Sequence, residues 1–237
     1  MEGFIVGGEP AYLHHHPHSA FLRLTCCDTS SWICGASILN QHILLTAAHC
    51  IDGCTVTTLN IVVGHRNRYR GKTFFASAIM IHKGYDIADS VNDIGLVVLR
   101  TPLNLDKNKS RVAIMKKPPN RGEAVVAGWG KIDDINNIGT SVLMYTTQTV
   151  LKRKQCAEVL GRLPRGTICG MHSKDTYVAG GDSGSALVVD DFIQIGLVSH
   201  RYPNVNKSIV VYMDVAYHYS WIRTAAQTMF CYLNDDE

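Results

Sequence analysis

The sequence lacks three features that would place it in other protein classes. No apolar run approaches the roughly 20 residues that a membrane-spanning helix needs. The formal net charge is only +3, so charge gives no reason to expect a nucleic-acid partner. Residues 1–4 are too few and too polar for a secretory signal peptide, so we expect a processed or truncated start.

The composition that is present indicates a folded, secreted protein. The chain has 237 residues, 46% of them hydrophobic, which is ample for a buried core. Eight cysteines fit an oxidising compartment better than the cytosol, so we expect an extracellular protein. Short apolar strands separated by turn residues favour a β-barrel or a sandwich in the second half, at residues 124–127, 141–150, 186–189, 193–199 and 208–215.

A serine flanked by glycines stands just ahead of a strand. Residues 179–186 read AGGDSGSA and precede the apolar run 187–189. Glycines on both sides hold Ser183 on a tight turn, where the backbone takes positive φ and a ligand comes close. Such a turn allows the hydroxyl to attack a carbonyl while backbone N–H groups face the oxyanion. On this segment alone, an ordinary turn is an equal alternative.

A base and an acid stand beside two other strands. His49 follows the apolar strand 43–45, and Asp93 comes directly before the apolar run 94–99. A hydroxyl nucleophile needs a base, and the base needs an acid that orients it and stabilises the imidazolium. The three residues, in this chain order, predict nucleophilic catalysis by Ser183.

These residues and their order resemble the chymotrypsin-like (trypsin-fold) serine endopeptidases. The resemblance covers nearly the whole chain, from Ile5 to the helix after Tyr219. Further segments match in the same order, namely residues 5–8 (IVGG), 128–130 (GWG), 167–170 (TICG), 211–215 (VYMDV) and 219–222 (YSWI).

The resemblance implies an all-β fold of two antiparallel six-stranded β-barrels with a C-terminal helix. The N-terminal barrel, residues 5–115, would carry His49 and Asp93. The C-terminal barrel, residues 116–237, would carry Ser183 and a closing helix at about 219–230. The active site would then lie in the cleft between the barrels.

The resemblance also assigns the roles. Ser183 would attack the peptide carbonyl, His49 would act as general base and then acid, and Asp93 would orient His49. The N–H groups of Gly181 and Ser183 would form the oxyanion hole. Substrate backbone would pair with residues 199–201 by strand addition.

Activation would involve the first residues of the chain. In the resembled family, cleavage before Ile5 frees an α-amine that inserts and pairs with the acid before the nucleophile, here Asp182. A free amine with a pKa near roughly 8 carries the needed charge at neutral pH. A cut between Phe4 and Ile5 would need a chymotrypsin-like activator; alternatively, residues 1–4 reflect only where the sequence starts.

Two disulfides are implied by the same resemblance. Cys34 would bridge to Cys50 and fix the backbone behind His49. Cys156 would bridge to Cys169 in the second barrel.

Three other cysteines depart from the plainer family pattern. One of Cys26 or Cys27 is expected to bridge to Cys54. The other one pairs with Cys231, pairs with another chain, or stays free. The sequence does not choose among these pairings.

The specificity pocket departs from the family most. Trypsin-like members carry an aspartate six residues before the nucleophile, and this chain has Tyr177 there. A wall glycine becomes Val210, and the opposite wall reads Ser199, His200 and Arg201 in place of Ser-Trp-Gly. Valine and arginine would narrow the entrance and tyrosine would fill the base. We therefore expect a shallow pocket for small or medium apolar P1 residues, with a collapsed, weakly active pocket as the competing interpretation.

No metal and no cofactor are expected. Trypsin-like relatives carry a calcium loop built from carboxylates where residues 66–72 (RNRYRGK) contain no acid, and calcium needs oxygen ligands. A solvated basic loop is expected there, with an anion-binding exosite as the alternative. The histidines at positions 14, 15, 16 and 18 precede the first strand, and a solvated loop is the simpler interpretation than a metal site.

The resulting expectation is a secreted serine endopeptidase, elastase- or chymotrypsin-like rather than trypsin-like. Its expected partners are protein or peptide substrates and protease inhibitors, and it is expected to be a monomer that binds neither nucleic acid nor membrane. The main alternative is a catalytically weak homologue that acts as a binding or regulatory protein. A regulatory protease using the basic loop as an exosite is a third.

Overall fold

A computed structural model describes residues 5–25, 31–119, 122–172 and 176–235, with side chains up to residue 230. Within these ranges the strands are β1 (Glu9–Pro10), β2 (Ser19–Thr25), β3 (Ser31–Ile38), β4 (Ile43–Thr46), β5 (Leu59–Val63), β6 (Lys72–Ile81), β7 (Gly95–Leu99), β8 (Ala113–Ile114), β9 (Glu123–Gly128), β10 (Lys131–Asp133), β11 (Ile138–Gly139), β12 (Met144–Leu151), β13 (Thr167–Met171), β14 (Ala186–Val189), β15 (Ile193–Tyr202) and β16 (Asn206–Asp214). The α-helices are α1 (Ala48–Ile51), α2 (Arg153–Leu160) and α3 (Val215–Asp235).

The first six-stranded unit is a closed barrel in the order β2-β3-β4-β7-β6-β5. Neighbouring strands are antiparallel, and side chains alternate between its interior and its outer face. In β5, for example, Leu59, Ile61 and Val63 are buried while Asn60 and Val62 are only partly so. This alternation follows from the sequence, because every second residue of β5 is a large aliphatic.

The second unit is also a closed ring of six antiparallel strands. Its order is β12-β13-β16-β15-β14-β9, and the pairing of β9 with β12 closes it. Short strands β1 and β8 extend its edges by pairing with β12 and β15. The predicted all-β fold of two six-stranded barrels is therefore confirmed.

Helix α3 holds the two barrels together. Ile222, Ala225 and Met229 recur at helical spacing on one face, and they pack against residues of both barrels such as Ile43 and Leu197. The helix begins four residues before the predicted position 219 and extends beyond 230, because it continues directly from β16. Among the described helices, none combines the length and apolar character that crossing a membrane requires.

The histidine-rich segment before β2 is not the solvated loop that the sequence favoured. His18 is 3% exposed, and burial together with the neighbouring His16 lowers its pKa to about 3. Burial likewise lowers the pKa of His16 to about 4, while His14 and His15 are exposed. The prediction was wrong for His16 and His18 because the chain turns inward before it enters the first barrel.

Disulfides join Cys34 to Cys50 and Cys156 to Cys169, the two pairs that the family resemblance implies. Cys54 is also disulfide-bonded. Residues 26 and 27, between which the sequence did not choose, lie outside the described residues, as does the side chain at 231.

Candidate active site

Pairing between β4 and β7 brings a histidine and an aspartate together. Thr46, at the end of β4, pairs with Gly95 at the start of β7. His49 lies in the short helix α1 after β4, and Asp93 comes two residues before β7. Cys50, next to His49, is tied by its disulfide to β3. Two fixed strand ends therefore set the position of both side chains.

Asp93 holds His49 through two hydrogen bonds. Its carboxylate accepts the His49 backbone N–H at 2.8 Å and faces Nδ1 of the imidazole at 2.8 Å. Asp93 is only 2% exposed, and burial alone would raise the pKa of this carboxyl. The hydrogen bonds and charge of His49, with a hydroxyl from Ser199, instead hold the pKa below its ordinary value. The acid is thus ionised at neutral pH and orients the imidazole.

The loop that carries Ser183, the candidate nucleophile, is anchored to both barrels. Gly35 of β3 donates its N–H to the Ser183 carbonyl at 2.7 Å, and Gly184 donates to the Val198 carbonyl of β15 at 2.9 Å. Gly181 has φ +99° and Gly184 has φ +81°, a backbone conformation that disfavours residues with a Cβ. The two glycines therefore allow the turn that presents Ser183.

Two backbone donors in this loop remain open. The N–H groups of Asp182, Gly184 and Ser185 each bond to a carbonyl. Those of Gly181 and Ser183 have no acceptor among the described residues. Free backbone N–H groups of a serine and of the residue two positions before it are donors of the kind that stabilise an oxyanion.

His49 and Ser183 both lie near the sulfur of Cys50. Cys50 Sγ lies 3.8 Å from His49 Nε2 and 3.7 Å from the Ser183 carbonyl oxygen. No hydrogen bond between Ser183 Oγ and His49 Nε2 is present between these two described residues. Such bonds are often long in unliganded sites and shorten when substrate binds.

Asp182 is fully buried and its carboxylate accepts two backbone N–H groups, from Gly130 at 2.8 Å and from Ala179 at 2.9 Å. Burial raises its pKa to about 6, although these hydrogen bonds and the charge of Arg201 lower it in part. The nitrogen of Ile5 is in a peptide bond with Phe4, so it is not a free amine that could pair with this carboxylate.

Arg201 lies across the base of the expected specificity pocket. Its guanidinium carbon is 4.5 Å from the centre of the Tyr177 ring, and its Nη2 donates to the Asp134 carboxylate at 2.7 Å. The Arg201 side chain is 15% exposed. Tyr177 is itself buried and pairs through its backbone N–H with the Val6 carbonyl. Arg201 and Tyr177 therefore form a stacked pair, of which Arg201 lines the cavity beside Ser183.

The space that remains beside Ser183 is small. A cavity of about 240 Å³ is lined by Val178, Ala179, Gly180, Ser183, Val198, Ser199, His200, Arg201 and Pro203. Val210 is fully buried in the core of the second barrel, where it pairs with Arg201 in register, and it does not line this cavity. Val210 thus lies behind the wall and not at the entrance.

A second cavity, of about 270 Å³, opens on the other side of His49. Its lining includes Tyr85, Asp93 and His200. Burial lowers the pKa of His200, with Asp93 acting to raise it and His49 to lower it. The site therefore contains a second imidazole, that of His200, where the resembled family has tryptophan.

Comparison with known proteins places this geometry in a family. A family model described as Trypsin matches residues 5–222. The chain belongs to the trypsin family. Its relatives include a chymotrypsin of Phaedon cochleariae, 28% identical over an alignment of 235 positions that covers 94% of this chain and 82% of that protein. Trypsin epsilon of Drosophila erecta is 29% identical over an alignment of 239 positions that covers 96% of this chain and 89% of that protein.

Solved structures have the same fold. HL collagenase superposes with a TM-score of 0.83 at 25% identity, covering 94% of this chain and 98% of that chain. The scabies mite inactivated protease paralogue S-D1 superposes with a TM-score of 0.84 at 23% identity, covering 94% and 97%. At that lower identity, the second similarity shows the fold alone.

Membership of the trypsin family makes the chain a protein of serine protease fold with peptide or protein substrates as its class of partner. Cys34, His49 and Cys50 form the single cluster of metal-ligating residue types among the described residues. Its two sulfurs are joined in a disulfide, so they offer no thiolate to a metal.

Two side-chain contacts at this site were not predicted from the sequence. Asp134, in the turn after β10, holds Arg201 over Tyr177. His218 of α3 lies 3.2 Å from the side-chain oxygen of Asn92, the residue before Asp93. Neither contact has a local sequence signal, because each joins segments far apart in the chain.

Proposed function

We propose that this trypsin-family chain is a secreted serine endopeptidase that hydrolyses peptide bonds through an acyl-enzyme. The observation that carries the proposal is the His49–Asp93 hydrogen bond, set beside a nucleophile loop with two open N–H donors. Arrangements that lack such an oriented base do not activate a serine hydroxyl. Eight cysteines and the family's usual destination support secretion.

The steps follow from the positions of these groups. The Ser183 hydroxyl attacks the scissile carbonyl while its proton passes to His49 Nε2. The N–H groups of Gly181 and Ser183 bind the resulting oxyanion, each contributing roughly 10²–10³ in rate in comparable sites. His49 then gives its proton to the leaving amine, and a water molecule repeats the sequence on the acyl-enzyme.

The P1 preference is proposed to be for small or medium apolar side chains. The cavity beside Ser183 holds about 240 Å³ and its walls are apolar at Val178, Ala179 and Val198. The Arg201–Tyr177 pair fills the space below it, where a large side chain would otherwise extend. Elastase-like cleavage fits these walls, and trypsin-like cleavage does not, because no described residue lining the cavity is acidic.

A second candidate function is a catalytically weak homologue that binds partners. Two observations favour it: Arg201 lines the cavity beside Ser183 and narrows it, and the Ile5 nitrogen that would pair with the buried Asp182 is in a peptide bond. Release of the amine at Ile5 is proposed to supply that pair and to order the nucleophile loop. Protease inhibitors as partners and a monomeric state remain part of the proposal.

The test is a peptide-library digest with protein that begins at Ile5, with its Ser183→Ala variant as the blank. Cleavage after Ala, Val or Leu supports both the enzyme and the shallow pocket. Cleavage mainly after Phe or Tyr supports the enzyme and contradicts the proposed P1 preference. A folded protein that cleaves nothing contradicts the endopeptidase and supports the homologue.

A further inference from the structure

The outer face of the first barrel carries a cavity that catalysis does not use. Strand register places one set of side chains on this face, because Phe21 pairs with Val62 and Arg23 pairs with both Ile33 and Asn60. A cavity of about 570 Å³ opens among them and is closed at one end by Arg68 and Tyr69. None of the described residues lining this basic cavity is acidic.

Arg68 has guanidinium nitrogens without partners. Its guanidinium carbon lies 5.1 Å from the ring centre of Phe21 and 5.2 Å from that of Tyr69. Nη2 bonds to the Tyr69 hydroxyl at 3.2 Å, but Nε and Nη1 are buried with no partner among the described residues. Buried polar groups are nearly always paired, and an unpaired charge is costly. An anion at this position would supply the missing pair.

Tyr69 is the part of the site that can move. Its side chain is 74% exposed, and its hydroxyl has only the 3.2 Å bond to Arg68 in the described structure. Rotation of Tyr69 away from the guanidinium would free Nη2 for a ligand. A carboxylate in place of the Tyr69 hydroxyl can accept two parallel hydrogen bonds, from Nη2 and from Nε, because these two N–H groups point to the same side of a guanidinium.

The loop that carries Arg68 is held rigidly by the second barrel. The Arg68 N–H donates to the Ser141 carbonyl at 2.9 Å. The Arg66 carbonyl accepts from the Leu143 N–H and from Trp129 Nε1, both at 2.8 Å. Because this backbone is fixed before any ligand arrives, binding costs less ordering entropy.

The electrostatic surroundings favour a polyanionic segment over a single anion. Residues 53–85 contain no aspartate or glutamate, although the whole chain has a net charge of only +3. Arg23 is an exposed cation that lines the cavity, and the exposed Arg70 and Lys72 are the chain neighbours of Gly71, which also lines it. Several like charges close together attract a chain that carries several opposite charges.

The basic cavity adjoins the active site through one side chain. Ile33 lines the cavity, and it also packs so closely on Gly181 that a Cβ there would lie 2.8 Å from Ile33 Cδ1. A peptide whose scissile carbonyl faces the Gly181 N–H would pass Ile33 to reach Arg68. One extended peptide could therefore occupy both the active-site cleft and the basic cavity.

We propose that the basic cavity binds an acidic segment of the protein substrate, adjacent to the bond that is cleaved. The identity of the ligand as a substrate rests on the proposed function, whereas its acidic character rests on Arg68 and its neighbours. Carboxylates of the segment pair with Arg68 and with Arg23.

The binding test uses the full chain with Ser183→Ala, so that no cleavage intervenes. The probe is a short fluorescein-labelled glutamate-rich peptide, compared with the same peptide carrying glutamine, and anisotropy is measured at low and at physiological salt. We expect the glutamate peptide to bind about tenfold more tightly than the glutamine peptide, and we expect its binding to weaken as the salt concentration rises. Equal binding of the two peptides overturns the proposal.

Matched variants locate the binding. In the Ser183→Ala background, Arg68→Gln is expected to lower the affinity for the glutamate peptide about tenfold, and Arg23→Gln is expected to lower it severalfold. Arg162→Gln removes an exposed charge elsewhere and is expected to change nothing. Because Arg68 packs on Phe21, the folding of the Arg68→Gln variant is checked by thermal melting. If that variant does not fold, Arg23→Gln tests the site, because Arg23 is exposed. Equal effects of Arg23→Gln and Arg162→Gln overturn the proposal.

Cleavage and competition separate the remaining outcomes. In active protein, a glutamate-extended substrate is expected to have a KM about tenfold below its glutamine counterpart, with kcat similar. If the glutamate peptide binds but no substrate is cleaved, the acidic-ligand site is supported and the proposed function is contradicted. Cleavage that does not distinguish the two extensions contradicts the site. Heparin fragments that bind through Arg68 while the glutamate peptide does not would assign the cavity to polysaccharide and overturn the proposal.

Discussion

Ser199 of strand β15 donates its hydroxyl to the Asp93 carboxylate at 2.6 Å, and so joins the second barrel to the acid of the first. The two residues are 106 positions apart in the chain. Asp93 therefore has three donors, two from His49 and one from Ser199. Hydrogen bonds to the charged form lower the pKa of a buried carboxyl, which keeps Asp93 ionised despite its burial.

Ser199→Ala is predicted to raise the pKa of Asp93 and to reduce kcat about tenfold, because a hydrogen bond to a charged group is lost. The titration profile of the Asp93 carboxyl, followed by its 13C chemical shift, should move to higher pH, since one of the hydrogen bonds to its charged form is lost. Ser199→Thr keeps a hydroxyl donor and should retain most of the activity. An unchanged profile in Ser199→Ala would show that Ser199 does not tune Asp93.

Arg201→Gly is predicted to deepen the specificity pocket, because it removes the guanidinium that covers Tyr177. The ratio of kcat/KM for Phe over Ala at P1 should rise about tenfold or more. Asp134→Asn releases Arg201 without removing it and should give a smaller change in the same direction. If both variants keep the wild-type ratio, Arg201 does not limit the size of the P1 residue.

Asp182→Asn is predicted to change the pH dependence of stability of the full chain. Burial raises the pKa of Asp182 to about 6, so its ionised form destabilises the fold above that pH. Stability from this carboxyl is gained as pH falls from about 6 toward its unfolded pKa of about 4, by about 2–3 kcal/mol in total. The free energy of unfolding, measured with urea near pH 7 and near pH 4, should therefore rise less, or fall more, toward pH 4 in Asp182→Asn than in the unsubstituted protein. Parallel pH profiles would contradict an unpaired Asp182.

His18 is predicted to destabilise the fold in mild acid. Its pKa is lowered to about 3 by burial, so the unfolded chain binds a proton first as pH falls below about 6.5. The free energy of unfolding should drop by about 2 kcal/mol between pH about 6.5 and about 5 from this group alone. His18→Asn should remove that part of the drop, whereas His14→Asn, at an exposed position, should not. The same slope in both variants would contradict the prediction.

The fold was predictable from the sequence, and the three candidate triad residues could be proposed from it because their signals are local. Ser183 stands between glycines, His49 follows an apolar strand, and Asp93 precedes one, so a few adjacent residues identify each. Barrel order came from the family resemblance, since strand spacing alone favours a barrel or a sandwich equally.

The filling of the pocket was predicted only in part. Counting back from Ser183 placed Tyr177 at its base, and the structure stacks Arg201 on that ring. The partner that holds Arg201 there, Asp134, is 67 positions away on a turn that carries no motif. Val210 has no such partner to reveal it either, and only its burial among the core residues of the second barrel shows where it lies. Long-range side-chain pairs of this kind leave no periodic or local pattern.

The central claim is that Ser183 is an activated nucleophile, and covalent labelling tests it most directly. Protein beginning at Ile5 is treated with a fluorophosphonate, and intact mass and peptide mapping locate the adduct. The account predicts a single adduct on Ser183 that forms fast at neutral pH, is nearly absent in His49→Ala, and is slow in the uncleaved full chain. No adduct in folded protein beginning at Ile5, or equal labelling in His49→Ala, would contradict the account.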